Sequence, residues 1–321
     1  MERPMEFHTK TKGAGSSSPD LSMALLPGPT LDPTWRLVEE GFTLSREHEI
    51  ESIFTVSNGY AGVRGSLPEG SALSAPATFL AGVFDANPES GFPHELVILP
   101  DWTMGRLLID SVPLMLQEGR VLEHRRILDL KQGVFWREWR HRDPAGHTFS
   151  YRLLRFASLA DRHLLLQSIL LTTENYTGRV CLESHIKAPA PYPRDSTLEV
   201  VAPAVWIGPY WTLQALPDQN KQRLVRGITS QGTTIAVALA HEVITRAGTH
   251  LESELEPVAD GFIERWRWEQ GLGETVRLTR VAVVCTSREA KNPEKAAMQH
   301  VEPIFREGFT RMADAHVEAW R

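Results

Sequence analysis

Apolar residues along most of this chain alternate with polar ones or form short blocks between turn-forming residues. Phe149, Tyr151 and Leu153 alternate with Ser150 and Arg152, which is the period-two pattern of a strand with one buried face. We expect such segments to pair into sheets, because a strand that is apolar on one face needs a second layer to cover that face.

Longer apolar blocks indicate strands deeper in the fold. Residues 162–173 are almost continuously apolar, as in a strand covered on both faces, and residues 274–286 return to alternation. Turn signals separate the blocks at residues 131–133, 143–146, 175–178 and 230–232. Between residues 35 and 287 the chain therefore predicts a mainly β fold, a large antiparallel β-sandwich rather than alternating β/α units.

The C-terminal residues change to a helical pattern. Asn292, Pro293 and Glu294 form a helix start, with a capping side chain, a proline and an acid in the first turn. Apolar residues then recur at steps of three or four: Met298, Val301, Ile304, Phe305, Phe309 and Met312. We expect two helices, divided at Pro303 or Gly308, whose apolar stripe stays exposed unless a partner covers it.

These patterns divide the chain into three parts. Residues 1–30 have the composition of a disordered leader, residues 31–290 form the β-sandwich, and residues 291–321 form linker helices. The helical pattern continues to Arg321 without a glycine or proline stop, as expected of a chain cut at a domain boundary.

Charge and hydropathy exclude several classes of partner. A net charge of −6 and a pI near 6.1 lack the basic footprint of a nucleic-acid-binding protein. No apolar run approaches the roughly 18 residues of a membrane span, and no signal peptide opens the chain, so we expect no membrane partner and a cytoplasmic location. Cys181 and Cys285 lie in separate apolar blocks and are expected to be buried free thiols.

A glycine-rich segment, residues 57–66, is the most unusual local feature of the sequence. It follows residues 52–56, which read as a strand. Asn58 and Gly59 then form a strong tight-turn signal, because both residue types adopt positive φ at low cost. The sequence therefore predicts a hairpin at this point.

Two further glycines, Gly62 and Gly65, lie where the second strand of that hairpin is expected. Glycine inside a strand marks a bulge or a close approach of backbone to another group. Two interpretations stay open at this stage. One is a hairpin with a bulge, and the other is a loop that meets a ligand or another domain, with Arg64 as a forked donor.

Most catalytic motifs are missing from the sequence. It has neither a Gly-x-Ser-x-Gly nucleophile motif nor histidines at a zinc-ligand spacing, so we expect no metal. His141, Arg142 and Asp143 match part of a kinase loop, but the following proline and glycine predict a turn. A cysteine nucleophile is not expected, because both cysteines lie within apolar blocks.

Paired carboxylates are harder to exclude. Glycoside chemistry needs one carboxyl group as the acid and a second group as base or nucleophile. Asp85, Glu95, Asp101 and Asp129 lie near predicted strand ends, where side chains can converge. Each is also an ordinary turn or surface acid, and sequence spacing leaves both interpretations open.

Nine tryptophans supply flat rings, which stack on sugar faces or fill a sandwich core. The aromatic residues form three groups: Trp136 with Trp139, Trp266 with Trp268, and Trp206 with Tyr210 and Trp211. Because Trp266 and Trp268 are two residues apart, we expect them to share one face of a strand.

An ordered set of motifs extends over the chain from Trp35 to Arg321. The motifs are Trp35 with residues 39–42, and residues 51–54, 58–65, 79–85, 95–102, 128–133, 155–159 and 316–320. Together they resemble the N-terminal region of glycoside hydrolase family 65, the maltose, trehalose and kojibiose phosphorylases and related α-glucoside hydrolases. Each motif is weak by itself, and their order is what makes the resemblance specific.

The resemblance implies a galactose-mutarotase-like supersandwich, followed by linker helices that lead into an (α/α)6 barrel. In the family, the barrel carries the glutamate general acid, and the phosphorylases use inorganic phosphate as co-substrate. The resemblance covers the region before the barrel, so no catalytic residue of the family is assigned to this chain. The choice of disaccharide, and of phosphorolysis or hydrolysis, belongs to the barrel.

The first functional hypothesis is a non-catalytic N-terminal domain, inactive alone, that packs on the barrel, shapes its sugar site and aids dimerisation. The partners implied are an α-glucosyl disaccharide, bound through the missing barrel, and a second copy in the parent enzyme. Candidate sugar-site or interface residues are Asn58, Tyr60, Arg64, Asp101 and Trp102.

Two alternatives remain beside this hypothesis. One is a stand-alone carbohydrate-binding β-sandwich module that uses the tryptophans and Arg64. The other is a mutarotase-like enzyme, which needs a histidine and a carboxylate converging on one face of the sandwich. No such pair stands out in the sequence.

Overall fold

The apolar blocks of the sequence become strands in the computed structural model, which describes residues 28–85, 95–187, 211–214, 222–245, 248–258 and 261–321. The first strands and helix in these ranges are β1 (Arg36–Glu40), α1 (Glu47–Ile53), β2 (Val56–Ser57), β3 (Ala61–Val63), β4 (Thr78–Asp85), β5 (Glu95–Ile98), β6 (Gly105–Ile109) and β7 (Val112–Pro113). Long strands follow: β8 (Arg120–Asp129), β9 (Val134–Arg142), β10 (Thr148–Ala157), β11 (Leu164–Thr173) and β12 (Gly178–Lys187).

The remaining strands and both C-terminal helices come from the second half of the chain. These elements are β13 (Trp211–Gln214), β14 (Gln222–Ile228), β15 (Thr234–Thr245), β16 (Ser253–Val258), β17 (Gly261–Gln270), β18 (Thr275–Thr286), α2 (Pro293–Glu307) and α3 (Phe309–Trp320). Short 3-10 turns at Pro33–Trp35 and Leu44–Arg46 precede β1 and α1.

The described strands form three antiparallel sheets. The largest has nine strands in the order β1-β8-β9-β10-β11-β18-β15-β14-β13. A five-stranded sheet has the order β16-β17-β12-β6-β7, and a four-stranded sheet has the order β2-β3-β4-β5. The predicted fold class, a large antiparallel β-sandwich followed by C-terminal helices, is confirmed.

One core lies between the nine-stranded sheet and the two smaller sheets. The nine-stranded sheet contributes side chains such as Phe135 and Leu165, the five-stranded sheet contributes Leu182 and Trp266, and the four-stranded sheet contributes Val63. Successive residues of a strand point to opposite faces, so only alternate residues of each strand enter this core.

A second core lies on the other face of the nine-stranded sheet, beneath α2 and α3. Residues next to those of the first core, such as Trp136 and Leu166, belong to this second core. Strand β11 is therefore buried on both faces, as its continuous apolar block predicts. The arrangement has three layers, with the nine-stranded sheet in the middle.

The expected exposed stripe on the C-terminal helices is wrong, because these helices fold back onto their own sheet. Helix α2 lies across β14, β15 and β18, and its residues Ala297 and Val301 are fully buried. The sheet accommodates the helix closely because the facing residues of β15 are small: Ala236, Ala238 and Ala240. The stripe is covered by the chain itself rather than by a partner.

The helix boundaries follow local signals in the sequence. The Asn292 side chain accepts a hydrogen bond of 2.8 Å from the Lys295 amide, and Pro293 begins α2 as predicted. Gly308, with φ of +85°, divides α2 from α3, whereas Pro303 lies inside α2. Helix α3 is held by His316, whose ring stacks on Phe156 at 4.2 Å between ring centroids.

One helix was not expected from the sequence. Residues 52–56 read as a strand, but α1 continues through Ile53, and only Val56 enters a strand. The apolar residues Ile50 and Phe54 are four apart and both buried, which is helical spacing. The strand interpretation is therefore wrong up to Thr55, because burial of Ile50 and Phe54 follows the helical period and not the period of a strand.

Buried arginines are a second unexpected feature. The fully buried guanidinium groups belong to Arg126, Arg137, Arg155, Arg223 and Arg280. Burial lowers the pKa of both Arg155 and Arg280 to about 10, although nearby Asp101 opposes this shift. Arginine in a strand pattern looks like a surface residue, so sequence periodicity does not predict such burial.

The remaining sequence expectations concern the leader, the thiols and the membrane. The leader lies outside the described residues up to residue 27, and Thr30 already donates a 2.5 Å backbone hydrogen bond to Asp129. Cys181 and Cys285 are free thiols, as predicted, with Cys285 buried and Cys181 half-buried. Among the described residues, no helix is long and apolar enough to cross a membrane.

Candidate functional site at the hairpin–helix junction

The predicted hairpin is present, and its turn is fastened to the rest of the sandwich. Asn58 Oδ1 accepts hydrogen bonds from the amides of Tyr60 and Ala61, at 3.0 and 2.9 Å, and Gly59 has φ of +82°. Asn58 Nδ2 donates to the carbonyls of Ser158 and Arg162, at 2.7 and 3.0 Å. Asn58 therefore joins the β2–β3 turn to the loop between β10 and β11.

Tyr60 extends from the same turn toward the end of β18. Its hydroxyl lies 3.3 Å from the Val284 carbonyl and 3.2 Å from Glu289 Oε2, and the Arg162 guanidinium lies 5.4 Å from its ring centroid. Burial, with the Glu289 charge beside it, raises the pKa of Tyr60 well above its usual range. The hydroxyl is therefore a permanent hydrogen-bond donor.

These contacts lie at a hairpin–helix junction, which we define by Asn58, Tyr60, Asp161, His163, Cys285, Glu289 and His300. The His163 ring packs edge-on against Tyr60, with 4.8 Å between ring centroids. His300, on α2, lies 2.7 Å from Asp161 Oδ2. The junction joins the hairpin, the β10–β11 loop, the end of β18 and helix α2. Sequence reasoning did not predict this cluster, because its members lie up to about 240 residues apart in the chain.

Arg64 does not lie at this junction. Its Nη2 donates to the His48 carbonyl at 2.8 Å and to Ser52 Oγ at 3.0 Å, and lies 3.6 Å from Glu51. All these groups belong to α1. Arg64 therefore ties the hairpin to α1 of the same chain.

Asp101 and Trp102 lie between the sheets rather than at the junction. Asp101 Oδ1 accepts hydrogen bonds from the Thr103 amide and hydroxyl at 2.8 and 2.7 Å. The Trp102 ring is buried, and its Nε1 donates to Thr78 Oγ1 at 3.0 Å. Of the five candidate residues, the structure thus brings only Asn58 and Tyr60 to one place.

The candidate carboxylates stabilise different loops. Asp85 accepts a 2.9 Å hydrogen bond from the Ser230 amide, and Asp129 accepts from the amides of Lys131 and Gln132 at 3.0 and 3.1 Å. Asp101 holds Thr103, as above. The side chain of Glu95 lies outside the described residues. Asp101 and Asp129 thus act as turn acids, whereas Asp85 holds the loop between β14 and β15.

A buried histidine–carboxylate pair exists that the sequence did not suggest. His241 Nδ1, on β15, lies 2.8 Å from Glu264 Oε2, on β17 of the opposing sheet. Arg223 and Ser253 also bind Glu264, at 3.3 and 2.6 Å. Burial lowers the pKa of His241 despite its carboxylate partner. Both side chains are buried inside the sandwich, so this pair is closed to solvent.

Most described tryptophans fill the cores. Trp136 and Trp139 are three apart, so they point to opposite faces of β9 and enter the two different cores. Trp266 and Trp268 share one face of β17, as predicted. Trp206, Tyr210 and the Trp211 side chain lie outside the described residues.

A small cavity lies between the sheets, lined by Trp139, Tyr151 and Trp268 among other side chains. Its volume of about 30 Å³ has room for one or two water molecules and is far too small for a sugar ring. Among the described residues, no group of three or more His, Cys, Asp or Glu side chains has a geometry that could hold a metal ion.

The predicted bulge at Gly62 and Gly65 is absent, and the two glycines have different surroundings. Gly62 pairs regularly with Ser57, and Gly65 lies beyond the end of β3. A Cβ on Gly65 would lie 2.7 Å from Phe54 Cβ and 2.9 Å from the Phe54 carbonyl oxygen. The buried Arg155 also donates to the Arg64 carbonyl at 2.6 Å. The close backbone approach predicted from sequence therefore occurs at Gly65.

We expect Gly65→Ala to destabilise the protein by about 1–3 kcal/mol, because the added methyl group overpacks a contact with backbone atoms. Gly62→Ala is the matched control, since its added Cβ would lie 3.7 Å from the nearest atom, an ordinary contact. Its unfolding free energy should stay within about 0.5 kcal/mol of wild type. Urea unfolding followed by tryptophan fluorescence measures both. Equal losses in the two variants would contradict the close approach at Gly65.

Comparisons with known proteins place the whole described fold in a family. The family model described as "Glycosyl hydrolase family 65, N-terminal domain" matches residues 37–321. The kojibiose phosphorylase of Caldanaerobacter subterraneus subsp. tengcongensis is 26% identical over 295 residues, which cover 89% of this chain and 37% of that protein. The kojibiose phosphorylase of Halothermothrix orenii is 30% identical over 261 residues, or 81% of this chain and 32% of that protein.

A solved structure shows the same fold. The "Putative kojibiose phosphorylase from human microbiome" superposes with a TM-score of 0.71 at 15% identity, covering 91% of this chain and 38% of that one. The chain thus spans well under half the length of these three relatives.

Proposed function

Because the chain belongs to glycosyl hydrolase family 65 and matches its N-terminal domain, we propose that it is a non-catalytic accessory domain of an α-glucoside phosphorylase or hydrolase. Its role is to pack on a catalytic barrel, to help shape the sugar site of that barrel and to aid dimerisation. An α-glucosyl disaccharide and, for a phosphorylase, inorganic phosphate are the substrates of the complete enzyme.

The observation that carries this proposal is the internal use of the polar side chains. Asn58, Tyr60, Arg64, Asp101 and Trp102 each bind groups of the same chain. The buried His241–Glu264 pair is likewise closed to solvent. A domain whose polar groups support its own loops fits a supporting role better than a catalytic one.

An exposed apolar surface supports the packing role. We call it the edge surface and define it by the exposed Leu31, Trp35, Leu37 and Leu130, together with the half-buried Trp320. Trp35 and Leu130 are 46% and 49% exposed. Leu130 connects Trp35 with Trp320: its amide donates to the Trp35 carbonyl at 2.8 Å, and its carbonyl accepts from Trp320 Nε1 at 3.0 Å. The edge surface lies beside β1, which is an edge strand of the nine-stranded sheet. Edge strands are normally covered or protected.

The β2–β3 hairpin is the proposed contribution to the sugar site. Its Ser57 and Gly59 are exposed. Asn58 and Tyr60 hold the turn in place through hydrogen bonds to the carbonyls of Ser158 and Val284. A loop that is rigid and exposed is suited to line the edge of a site on a neighbouring domain.

Free thiols at both cysteines also fit a reducing compartment, and we propose the cytoplasm as the location.

The test of this function is the activity of the purified chain. We expect it to release neither glucose 1-phosphate nor glucose from kojibiose, trehalose or maltose, with or without inorganic phosphate. The kojibiose phosphorylase of Caldanaerobacter subterraneus serves as the positive control in the same assay. Turnover by the 321-residue chain itself would overturn the proposal.

One observation favours the alternative of a carbohydrate-binding module: the ring of Trp35 is half exposed and flat enough to stack on a sugar. Titration with kojibiose and maltose, followed by tryptophan fluorescence, separates the two functions. We expect no saturable change up to millimolar sugar. The matched control is Val112→Ser, at another exposed apolar residue. A saturable change that is lost in Trp35→Ser and kept in Val112→Ser would establish the binding module instead.

A further inference from the structure

Strand β1 has an outer edge to which no described strand is bound. It is the first strand of the nine-stranded sheet, and among the described strands it pairs with β8 alone. Leu37 and Val38 point to opposite faces of the sheet, and each is 41% exposed. An open edge of this kind presents amides and carbonyls to which a further strand can bind.

The hydrogen bonds between β1 and β8 show which backbone groups of β1 point outward. The Leu130 amide donates to the Trp35 carbonyl, and the Gly41 amide donates to the His124 carbonyl, both at 2.8 Å. Hydrogen-bonded pairs alternate along an antiparallel ladder, and the register between these two bonds is regular. The odd-numbered residues of β1 therefore bond to β8, and the even-numbered residues direct their amides and carbonyls outward.

Three residues supply the outward groups: Arg36, Val38 and Glu40. The Arg36 amide already donates to the Pro33 carbonyl in the turn before the strand. The outer edge thus offers the amides of Val38 and Glu40 as donors and the carbonyls of all three residues as acceptors.

The two charged side chains among these residues form no ion pair with a described residue. The charges that lie opposite them on β8 are engaged elsewhere. Arg125, opposite Glu40, lies 2.5 Å from Glu138, and Asp129, opposite Arg36, accepts hydrogen bonds from its own loop. A cation and an anion therefore stand at the two ends of the open edge, on the same face of the strand.

From this hydrogen-bond pattern and charge order we propose that β1 pairs antiparallel with β1 of a second copy of this chain, about a two-fold axis at Val38. The proposal rests on the dimerisation role within the proposed function and names the surface that performs it. The two Val38 residues exchange hydrogen bonds across the axis. Each Glu40 amide donates to the Arg36 carbonyl of the second copy, so that the two nine-stranded sheets become continuous.

The side chains of β1 are self-complementary in this register. Arg36 lies directly opposite Glu40 of the second copy, and the symmetry forms this ion pair twice. The two Val38 side chains meet between the ion pairs. An axis at Leu37 or Glu39 instead places Arg36 or Glu40 opposite Val38, and the axis at Glu39 also brings two carboxylates together. The charge order therefore selects the axis at Val38.

The pairing and the packing on a barrel use different residues. The ladder extends over residues 36–40 and shares only Leu37 with the edge surface, whereas Leu31, Trp35 and Leu130 lie beyond its end. A ladder of five residues is short, and short interfaces bind weakly, so we expect a dissociation constant on the order of 10 µM.

Sedimentation equilibrium of the full chain at low ionic strength, from about 1 to about 100 µM, measures this dimer. We expect Glu40→Arg to weaken dimerisation about tenfold or more, because it opposes like charges at both ends of the ladder. Arg36→Glu should have the same effect. The double variant Arg36→Glu/Glu40→Arg should restore the wild-type affinity, since the exchanged charges are again complementary.

A mixture of the two single variants gives the sharpest result. Neither should dimerise alone below about 100 µM, but together they should form a heterodimer, because opposite charges then meet at both ends of the ladder. Glu118→Arg, at an exposed residue outside β1, makes the same change in net charge and should leave the dimer intact. Thermal melting confirms that each variant is folded, and Glu40→Arg with Glu118→Arg suffices if Arg36→Glu does not fold.

Two results would show that β1 does not bind a second copy. One is a wild-type chain that stays monomeric up to about 100 µM, as expected if another part of the protein covers this edge. The other is a wild-type dimer that Glu40→Arg weakens no more than Glu118→Arg. The measurement records mass and not turnover, so either failure leaves the non-catalytic role to be decided by the activity assay.

Discussion

Replacing Glu69 by Gln is expected to destabilise the protein by about 3–5 kcal/mol, because it removes the carboxylate that directly binds the buried Arg137. The two oxygens of Glu69 accept hydrogen bonds from Arg137 at 2.7 and 2.6 Å, and Arg137 is 0% exposed. Arg137 Nε donates to His124, whose Nδ1 donates to the Gly41 carbonyl at 2.8 Å. Loss of Glu69 therefore leaves a buried charge without its counterion.

The matched control is Glu254→Gln, which breaks a pair between Glu254 and Arg267 on the surface. Their side chains are 75% and 52% exposed, so this pair should be worth no more than about 1 kcal/mol. Guanidinium unfolding near neutral pH measures the free energy of unfolding of both variants. A loss in Glu69→Gln as small as that in Glu254→Gln would contradict the importance of the buried pair.

The same pair predicts how stability depends on pH. Burial acts to raise the pKa of Glu69, but the Arg137 guanidinium outweighs it and holds that pKa below its ordinary value of 4.5. The contribution is therefore fully present above the unfolded-state pKa and is lost as the pH falls through the lower folded-state pKa. The stabilities of wild type and Glu69→Gln should converge in acid.

Val301→Asp is expected to cost at least about 3 kcal/mol and to detach α2 and α3 from the sheet, since it buries a carboxylate without a partner. Val301 belongs to α2, is 0% exposed and faces the second core. Gln299→Asp introduces the same side chain at an exposed position of the same helix, so the helix propensity cost is matched.

Thermal melting and limited proteolysis compare these two variants. We expect new cleavage within α2 and α3 in Val301→Asp and a wild-type pattern in Gln299→Asp. If Val301→Asp melted like Gln299→Asp and resisted protease equally, the docking of the helices on the nine-stranded sheet would be wrong.

Elements whose signals are local were predicted well from the sequence. The cap at Asn292 depends on groups within three residues of it, and the double-sided burial of β11 is visible in its continuous apolar block. The hairpin turn at Asn58 and Gly59 was predicted for the same reason. Helix α1 was missed because the buried Ile50 and Phe54, the residue that follows the helix, flank a segment that was read as a strand.

The candidate site was predicted only in part. Asn58 and Tyr60 do meet at one junction, but the ionisable groups that complete it, Asp161, His163 and His300, carry no mark in the sequence. Cys285 was set aside because its neighbours along β18 are apolar. Asp161, His163 and His300 come from the β10–β11 loop and α2, which sequence spacing does not bring together.

The sequence by itself therefore determined the strands, the start of the C-terminal helices and, through its ordered motifs, the family. These depend on side-chain period and capping over a few residues, or on the order of motifs along the chain. Only the tertiary structure decided that α2 covers its own sheet and that Arg137 finds Glu69 68 residues away. It also decided that the rings of His163 and His300 pack against each other, 137 residues apart in the chain. The physical reason is that burial and charge pairing depend on which distant segments of the chain the fold brings together. The pattern of residues within one segment does not show which other segment it will contact.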